Sequence, residues 1–435
     1  MERIKQLYEH YLNNPVICTD SRAITAGSIF FALKGDSFNG NTYAGGALNS
    51  GAVLAVVDEP DLVTDERFFL VDDVLTSLQE LAQFHRSHFQ GPVIGITGTN
   101  GKTTTKELIN AVLSESYRTH ATQGNLNNHI GVPLTILSAD LVTTDIMIIE
   151  MGANHPGEIA FLCEIAKPDF GLITNVGKAH LEGFGSLEGV IKTKTELYES
   201  LKSGKGKAFV CSGQQVLMQY AAILDHLSYG KESSDYCMGE MVSSDPFLKV
   251  KWYDKGIEQV IQTNLVGAYN VDNVLAAVCI GKYFEVTTEK VVAAIEKYTP
   301  SNNRSQVLQS ASNQLILDAY NANPSSMRVA LENFASMNTF PKVVILGDMF
   351  ELGAESRNEH EAILILLKDI NFSKVLLIGP RFEEVSTESG FMCFDSTDNA
   401  YKWLVAHPIT NASILVKGSR GMKLEKLIPA LYDKL

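Results

Sequence analysis

No apolar run in this sequence approaches the ~20 residues that a bilayer-spanning helix needs. The longest, at 51–57, 145–151 and 342–346, are of strand length. The opening residues Met1-Glu2-Arg3-Ile4-Lys5 carry no apolar core of a secretion signal. A chain neither secreted nor membrane-spanning, working in the cytoplasm, is expected. Cysteine is sparse: Cys18, Cys163, Cys211, Cys237, Cys279 and Cys393 form no C-x-x-C pair, which excludes a zinc ribbon or disulfide scaffold and suits a reducing compartment. With only 13 prolines, and 20% charged against 45% hydrophobic residues, a disordered or fibrous chain is excluded as well. Cations are outnumbered, 36 Lys+Arg against 50 Asp+Glu, leaving a net charge of −14. Such a field repels nucleic acid and anionic membrane faces, so neither is an expected partner, and an anionic substrate needs a local basic cluster.

What is present is alternation. Short apolar runs bounded by Gly, Pro, Asn and Asp alternate with longer amphipathic stretches, the βα pattern of parallel-sheet proteins, so the fold class is α/β. The length of 435 residues exceeds one ordinary core. Composition breaks at Gln90-Gly91-Pro92 and at Tyr298-Thr299-Pro300-Ser301-Asn302-Asn303. Three domains are expected: 1–90, small and α/β; 91–300, a central parallel sheet; and 301–435. In the last, strands predicted at 315–318, 343–346, 375–378 and 413–416, each followed by a helical stretch, make a small Rossmann-like doubly wound sheet. Ligands of such sheets lie beyond the strands' carboxyl ends, which here carry Asp318, Gly347-Asp348, Gly379 and Lys417-Gly418-Ser419-Arg420.

The clearest chemistry is at 95–104, Gly95-Ile96-Thr97-Gly98-Thr99-Asn100-Gly101-Lys102-Thr103-Thr104, between a strand predicted at 93–97 and a helix from about residue 103 to 113. Glycines let backbone N–H groups converge on phosphate oxygens, and the helix N-terminus adds partial positive charge. Lys102 supplies a cation for the β- and γ-phosphates and Thr103 a hydroxyl for magnesium, which makes ATP the expected nucleotide. The usual pattern has a glycine where Ile96 stands, so this is a variant loop. Downstream, the strand predicted at 145–149 ends in Glu150, and the one at 169–174 runs into Asn175-Val176-Gly177-Lys178-Ala179-His180. If both flank the strand leading into the loop, Glu150 and His180 reach the γ-phosphate side, where a carboxylate suits magnesium and an imidazole completes a second site.

Taken together, these residues resemble the Mur ligase family of bacterial cell-wall synthesis over nearly the whole chain. Thr97-Gly98-Thr99-Asn100-Gly101-Lys102-Thr103 is similar to that family's own phosphate loop. Asp20-Ser21-Arg22 with Gly27, Phe30-Phe31-Ala32-Leu33-Lys34-Gly35 and Gly51-Ala52 resembles its UDP-sugar-binding first domain. Gly124-Asn125-Leu126-Asn127-Asn128, Ile130-Gly131-Val132-Pro133, Tyr320-Asn321-Ala322-Asn323-Pro324, Leu346-Gly347-Asp348-Met349 with Glu351-Leu352-Gly353, and Lys417-Gly418-Ser419-Arg420 point to a member acting late in the pathway. The resemblance implies an ATP-dependent ligase that joins D-alanyl-D-alanine to UDP-N-acetylmuramoyl-tripeptide through an acyl phosphate, using two magnesium ions, and a monomer is expected.

Residue by residue, the resemblance implies that Gly98 to Thr104 with Asn270, Arg304 and Asp318 hold the nucleotide: Asn270 beside the adenine, Asp318 near the ribose and Arg304 at the γ-phosphate. Lys102, Glu150, His180, Lys194 and Arg304 are the candidate catalytic residues, and Thr103, Glu150, His180 and Lys194 the candidate metal group. Lys194, in Gly189-Val190-Ile191-Lys192-Thr193-Lys194-Thr195-Glu196, aligns with the family's carbamylated lysine, and Lys192 is the competing candidate. A carbamate offers the metal anionic oxygens where an ammonium repels it. Substrate contacts fall on Ser21, Arg22, Lys34, Asn127, Asn128, Asn321, Asn323, Asp348, Lys417 and Arg420; the last two either hold the dipeptide's carboxylate or form a plain strand-end turn. The chain departs from the family at Tyr269, His129 and Leu317, where a histidine, an acidic residue and an aspartate are common. The competing readings are another ligase of this type, acting on a different UDP-muramyl substrate or on a folate, and a nucleotide-driven switch that makes no amide bond.

Overall fold

Continuous apolar runs become strands buried on both faces when helices cover a parallel sheet on either side. The structure, a computed structural model, describes residues 2–179, 181–301, 303–339, 341–387 and 389–432. In it Val93–Thr97, Ile146–Glu150, Lys342–Gly347 and Ala412–Lys417 are strands in which every residue is buried. The described residues build three helix-covered sheets and a two-stranded hairpin, an α/β architecture. No helix among the described residues is long and apolar enough to cross a membrane.

The first sheet is all parallel, in the order Ile17–Cys18, Ile29–Phe31, Leu54–Val57, Phe68–Leu70. Helix Val74–Ser87 begins where the Asp73 side chain accepts the Thr76 N–H at 2.7 Å, satisfying an otherwise orphan donor. Its Leu78 and Leu81 join Leu7 and Tyr11 of helix Glu2–Asn13 against Phe31 and Val56, and the same core continues through Val93, Met147 and Ile149 of the central sheet. The first sheet is therefore fastened to the second by shared apolar packing.

The central sheet has nine strands, in the order Ile257–Gln262, Lys249–Asp254, Cys237–Ser243, Asp225–Gly230, Lys207–Cys211, Phe170–Ile173, Val93–Thr97, Ile146–Glu150, Thr119–Ala121. Residues alternate between faces: Ile94, Ile96 and Ile148 pack under helices Lys102–Ser114, Val271–Tyr283 and Thr288–Lys297, while Met147 and Ile149 face the opposite layer. The last three strands in sequence, 237–262, depart from the βα expectation, the outer two pairing antiparallel. The physical cause is a two-residue turn, Lys255 at φ 49° and Gly256 at φ 81°, which matches the twist of a hairpin.

The C-terminal sheet runs Gln306–Gln309, Asn313–Asp318, Ala412–Lys417, Lys342–Gly347, Lys374–Ile378, Met392–Phe394, parallel except for the first pair. Helices Pro324–Ser336 and Ser356–Ile370 cover one face and Thr397–Ala406 the other, the doubly wound arrangement expected. The two edge strands escape a pattern reading because Gln306–Gln309 is half-polar and only partly buried, and Met392–Phe394 is three residues long.

Since Leu81 is fully buried where the first and second cores merge, Leu81→Ala is expected to destabilise the protein by about 2–5 kcal/mol through lost transfer energy and a residual cavity. Denaturant titration of both proteins measures the difference.

Candidate active site

Three strand ends set the geometry. Val93–Thr97 lies between Ile146–Glu150 and Phe170–Ile173, with Ile96 level with Glu150 and Thr97 level with Ile173. The strand-to-helix turn leaving at Gly98 thus has Glu150 on one flank and residues 174–177 on the other. Gly98 has φ 142° and Gly101 φ 80°, conformations an L side chain resists, and a Cβ on Gly98 would strike the Thr174 hydroxyl and the Thr174 and Asn175 backbone nitrogens. The turn is held from its neighbour: Asn100 N–H donates to Asn175 Oδ1 at 3.0 Å, the Asn100 carbonyl accepts from Thr174 Oγ1 at 2.6 Å and Asn175 Nδ2 at 3.0 Å, and Gly177 N–H donates to Thr99 Oγ1 at 3.0 Å.

The turn opens on a cleft of ≈830 Å³ to which the central and C-terminal sheets both contribute; Thr99 to Thr104 line it together with Asn127, Asn128, Glu150, Asn270, Arg304, Asp318, Asn321, Asn323 and Lys417. The Lys102 ammonium donates to the Gly98 and Thr99 carbonyls at 2.7 and 3.1 Å. Burial pulls its pKa down to about 8; nearby Glu150 opposes the shift and Arg304 adds to it. Thr103, in the first turn of helix Lys102–Ser114, is buried. Glu150 is 1% exposed; its Oε1 accepts from Asn127 Nδ2 at 2.8 Å, and its Oε2 has no hydrogen-bond partner among the described residues.

Behind the Glu150 side of the cleft, helix Leu187–Gly204 carries Lys194, whose ammonium sits 3.4 Å from the Ala153 carbonyl and 5.3 Å from the centre of the Phe184 ring. Burial pulls its pKa down to about 7, and the Lys102 charge pushes the same way against Glu158 and Glu196. Lys192 is exposed. His180 lies outside the described residues.

From the C-terminal side, Asn323 caps helix Pro324–Ser336 and donates through Nδ2 to Asn100 Oδ1 at 2.8 Å, a direct bond to the phosphate-loop turn. Lys178 and Glu359 make a second link at 2.9 Å. The Arg304 guanidinium stacks 3.5 Å above the Tyr320 ring, and Lys417 pairs with Asp318 at 2.5 Å, with Asp318 also accepting the Ser305 N–H. Tyr269 hydrogen-bonds Ser305 Oγ at 2.8 Å at the cleft wall. Asn270 donates to the Val266 carbonyl and accepts from Asn273.

The remaining candidates, Asn128 excepted, stand apart from this cleft. Ser21 and Arg22 belong to the first sheet's loops, Arg22 paired with Asp20 at 2.7 Å, and Lys34 is paired with Asp58 at 2.8 Å. Asp348 is buried beneath helix Pro380–Val385, accepting the Arg381 and Phe382 N–H groups at 3.0 and 2.9 Å. Arg420 is exposed, 5.5 Å from the Tyr320 ring. The Asn128 side chain accepts the Ile130 and Gly131 N–H groups. Thr174, Asn273 and Tyr320 carry the architecture without having been singled out as site residues. Asn175 and Tyr320 stand inside quoted motifs, whereas Asn273 is one polar residue in an apolar helix and its partners are distant in sequence.

Three family models match in order: "Mur ligase family, catalytic domain" at 16–87, "Mur ligase middle domain" at 96–281 and "Mur ligase, glutamate ligase domain" at 303–420. The chain is 34% identical over 430 residues to the UDP-N-acetylmuramoyl-tripeptide–D-alanyl-D-alanine ligase of Bacillus subtilis, covering 96% of this chain and 93% of that protein. It is 33% identical to the Escherichia coli enzyme of the same name, with the same shares covered. Among solved structures, MurF from Acinetobacter baumannii superposes with a TM-score of 0.87 at 29% identity, covering 98% of each chain. MurF from Thermotoga maritima in complex with ADP gives 0.85 at 26% identity, covering 96% of this chain and 97% of that one.

The crowding at Gly98 generates a test. Gly98→Ala is expected to weaken ATP binding at least ~10-fold, on the scale of the ~1–3 kcal/mol that a disallowed backbone conformation costs. Titration with a fluorescent nucleotide reads the loss, and far-UV circular dichroism should stay unchanged.

Proposed function

The chain belongs to the Mur ligase family, and from that premise we propose that it joins D-alanyl-D-alanine to UDP-N-acetylmuramoyl-tripeptide with hydrolysis of ATP to ADP and phosphate, in peptidoglycan synthesis. It works as a cytoplasmic monomer. The observation that carries this reading is the meeting of Lys102, Glu150 and Arg304, the last two close enough to act on the Lys102 pKa, in a cleft shared by two sheets. Of the rival substrates, the folate ligase of Mycobacterium tuberculosis is only 15% identical and shares the fold alone.

A carboxylate cannot expel oxide, so it must first become an acyl phosphate. The tripeptide's terminal carboxylate oxygen attacks the γ-phosphorus, the bond to the β-phosphate oxygen breaks, and ADP leaves. Two anions approach one another in that step, and Lys102 with Arg304 offsets their repulsion, the N–H groups of the 98–104 turn holding the phosphates. The dipeptide's amine then attacks the acyl carbon, loses a proton, and phosphate departs. No side chain forms a covalent bond, so catalysis consists of positioning and electrostatics. Residues 1–90 hold the UDP-sugar through Ser21, Arg22 and Lys34, and 91–300 the nucleotide, with Asn270 beside the adenine. Residues 301–435 bring the dipeptide through Asn321, Asn323, Lys417 and Arg420, with Asp318 toward the ribose and Asn127 and Asn128 toward the peptide.

Magnesium fits this site through the Glu150 Oε2, buried without a partner among the described residues, and the buried Thr103 hydroxyl. Lys194 as a carbamate, with His180, would complete the ligand set. When bound, the metal would neutralise charge on the transferring phosphoryl group. Lys194 suits carbamylation because an amine with a pKa of about 7 is about half unprotonated in neutral solution, the form that attacks carbon dioxide.

Mass spectrometry of a reaction containing ATP, the UDP-muramyl-tripeptide and D-alanyl-D-alanine is expected to show the pentapeptide, absent with Lys102→Ala; phosphate released without either peptide would instead support a switch. With 13C-bicarbonate, a carbamate resonance is expected from the protein and from Lys192→Ala but not from Lys194→Ala. The reverse pattern would reassign the modified lysine.

A further inference from the structure

A line of two amides and a hydroxyl runs from the phosphate-loop helix to the wall of the cleft. The Val266 carbonyl can only accept, so the side-chain atom of Asn270 facing it at 2.9 Å is Nδ2. Asn270 Oδ1 then faces Asn273, which must present its own Nδ2, at 2.8 Å. Asn273 Oδ1 is left for the Thr105 hydroxyl, which donates at 3.0 Å. All three side chains are buried, at 2%, 6% and 0% exposure, so turning Asn270 over sets its Oδ1 against the Val266 carbonyl and its Nδ2 against Asn273 Nδ2, and turning Asn273 over sets two amide oxygens together. Both asparagines line the cleft, and Asn273 Oδ1 also lies 2.7 Å from where a Cβ on Gly101 would be, tying the line to the phosphate loop.

We propose that Thr105 and Asn273 are specificity-determining positioning residues that lock the Asn270 amide in the one orientation that accepts a 6-aminopurine and rejects a 6-oxopurine. The inference rests on Asn270 standing beside the base. After its bonds to Val266 and Asn273, the Asn270 amide retains one lone pair on Oδ1 and one N–H on Nδ2. An amino group at C6 donates to the former while the adjacent ring nitrogen accepts from the latter, the two-point match of an asparagine to adenine. An oxygen at C6 instead meets Oδ1 acceptor to acceptor. Without the Thr105 and Asn273 bonds the amide is held by the Val266 carbonyl alone, and the discrimination falls.

The experiment compares kcat/KM for ATP and for ITP in amide formation, with competition of the two against a fluorescent ADP for any variant that does not turn over. Asn273→Ala and the near-isosteric Thr105→Val should lower the ATP-to-ITP preference on the order of tenfold, and Thr105→Ser, which keeps the hydroxyl, should retain it. A role confined to packing would weaken both nucleotides together and leave the ratio unchanged. The proposal is overturned if the ratio holds in Asn273→Ala and Thr105→Val while Asn270→Ala collapses it. If Asn270→Ala also leaves the ratio intact, the base does not contact Asn270, and the reading beneath the proposal falls with it.

Discussion

Two lysines share poorly solvated ground near the end of the central sheet. Lys102 and Lys194 are each depressed first by burial, and the charge of one lowers the pKa of the other. Arg304 adds a third cation, and Glu150 is the carboxylate that works against the shift at Lys102. A protein with a net charge of −14 has concentrated positive charge where desolvation makes it costly. In the proposed reaction such an arrangement would be relieved by anions from outside: a triphosphate at Lys102 and Arg304, and conversion of Lys194 from a cation into an anion. Desolvated positive charge of this kind favours a transition state in which two anions must be pressed together.

Holding these charges apart until ligands arrive is the task of the surrounding hydrogen bonds. Thr174 and Asn175 brace the turn from the neighbouring strand, and Asn323 reaches it from the C-terminal sheet. Because the Asn323 side chain also caps its own helix, the axis of that helix and the position of Asn100 are tied together. Arg304, at the start of the C-terminal segment, stacks on the Tyr320 face and pairs with no carboxylate among the described residues, which leaves its donors available to an anion. Lys417 is differently placed: its pairing with Asp318 ties the carboxyl ends of two adjacent strands and leaves the ammonium partly committed.

Legibility in the sequence followed the range of the interaction. The turn at 98–103 could be read because its glycines, lysine and threonine are contiguous and its flanks are a strand and a helix. Glu150 could be read because a carboxylate closing an apolar run lies at a strand's carboxyl end. Arg304 and Asn270 entered through resemblance, since nothing local marks them. Asn273 and Thr105 carried no signal: they are 168 positions apart, and each sits unremarked in its own helix. Asp348 shows the opposite case, a residue in a recognisable motif whose carboxylate is engaged by two backbone N–H groups of the following helix.

Local pattern alone therefore determined the α/β class, the strands that feed the site and the chemistry of the phosphate-binding turn, because each depends on a few consecutive side chains and their period. Tertiary structure alone decided which strands flank the turn, that Lys194 and not Lys192 is buried, and which amide faces which. Those outcomes depend on desolvation and on hydrogen bonds between segments far apart in the chain, and neither exists until the sheets have packed.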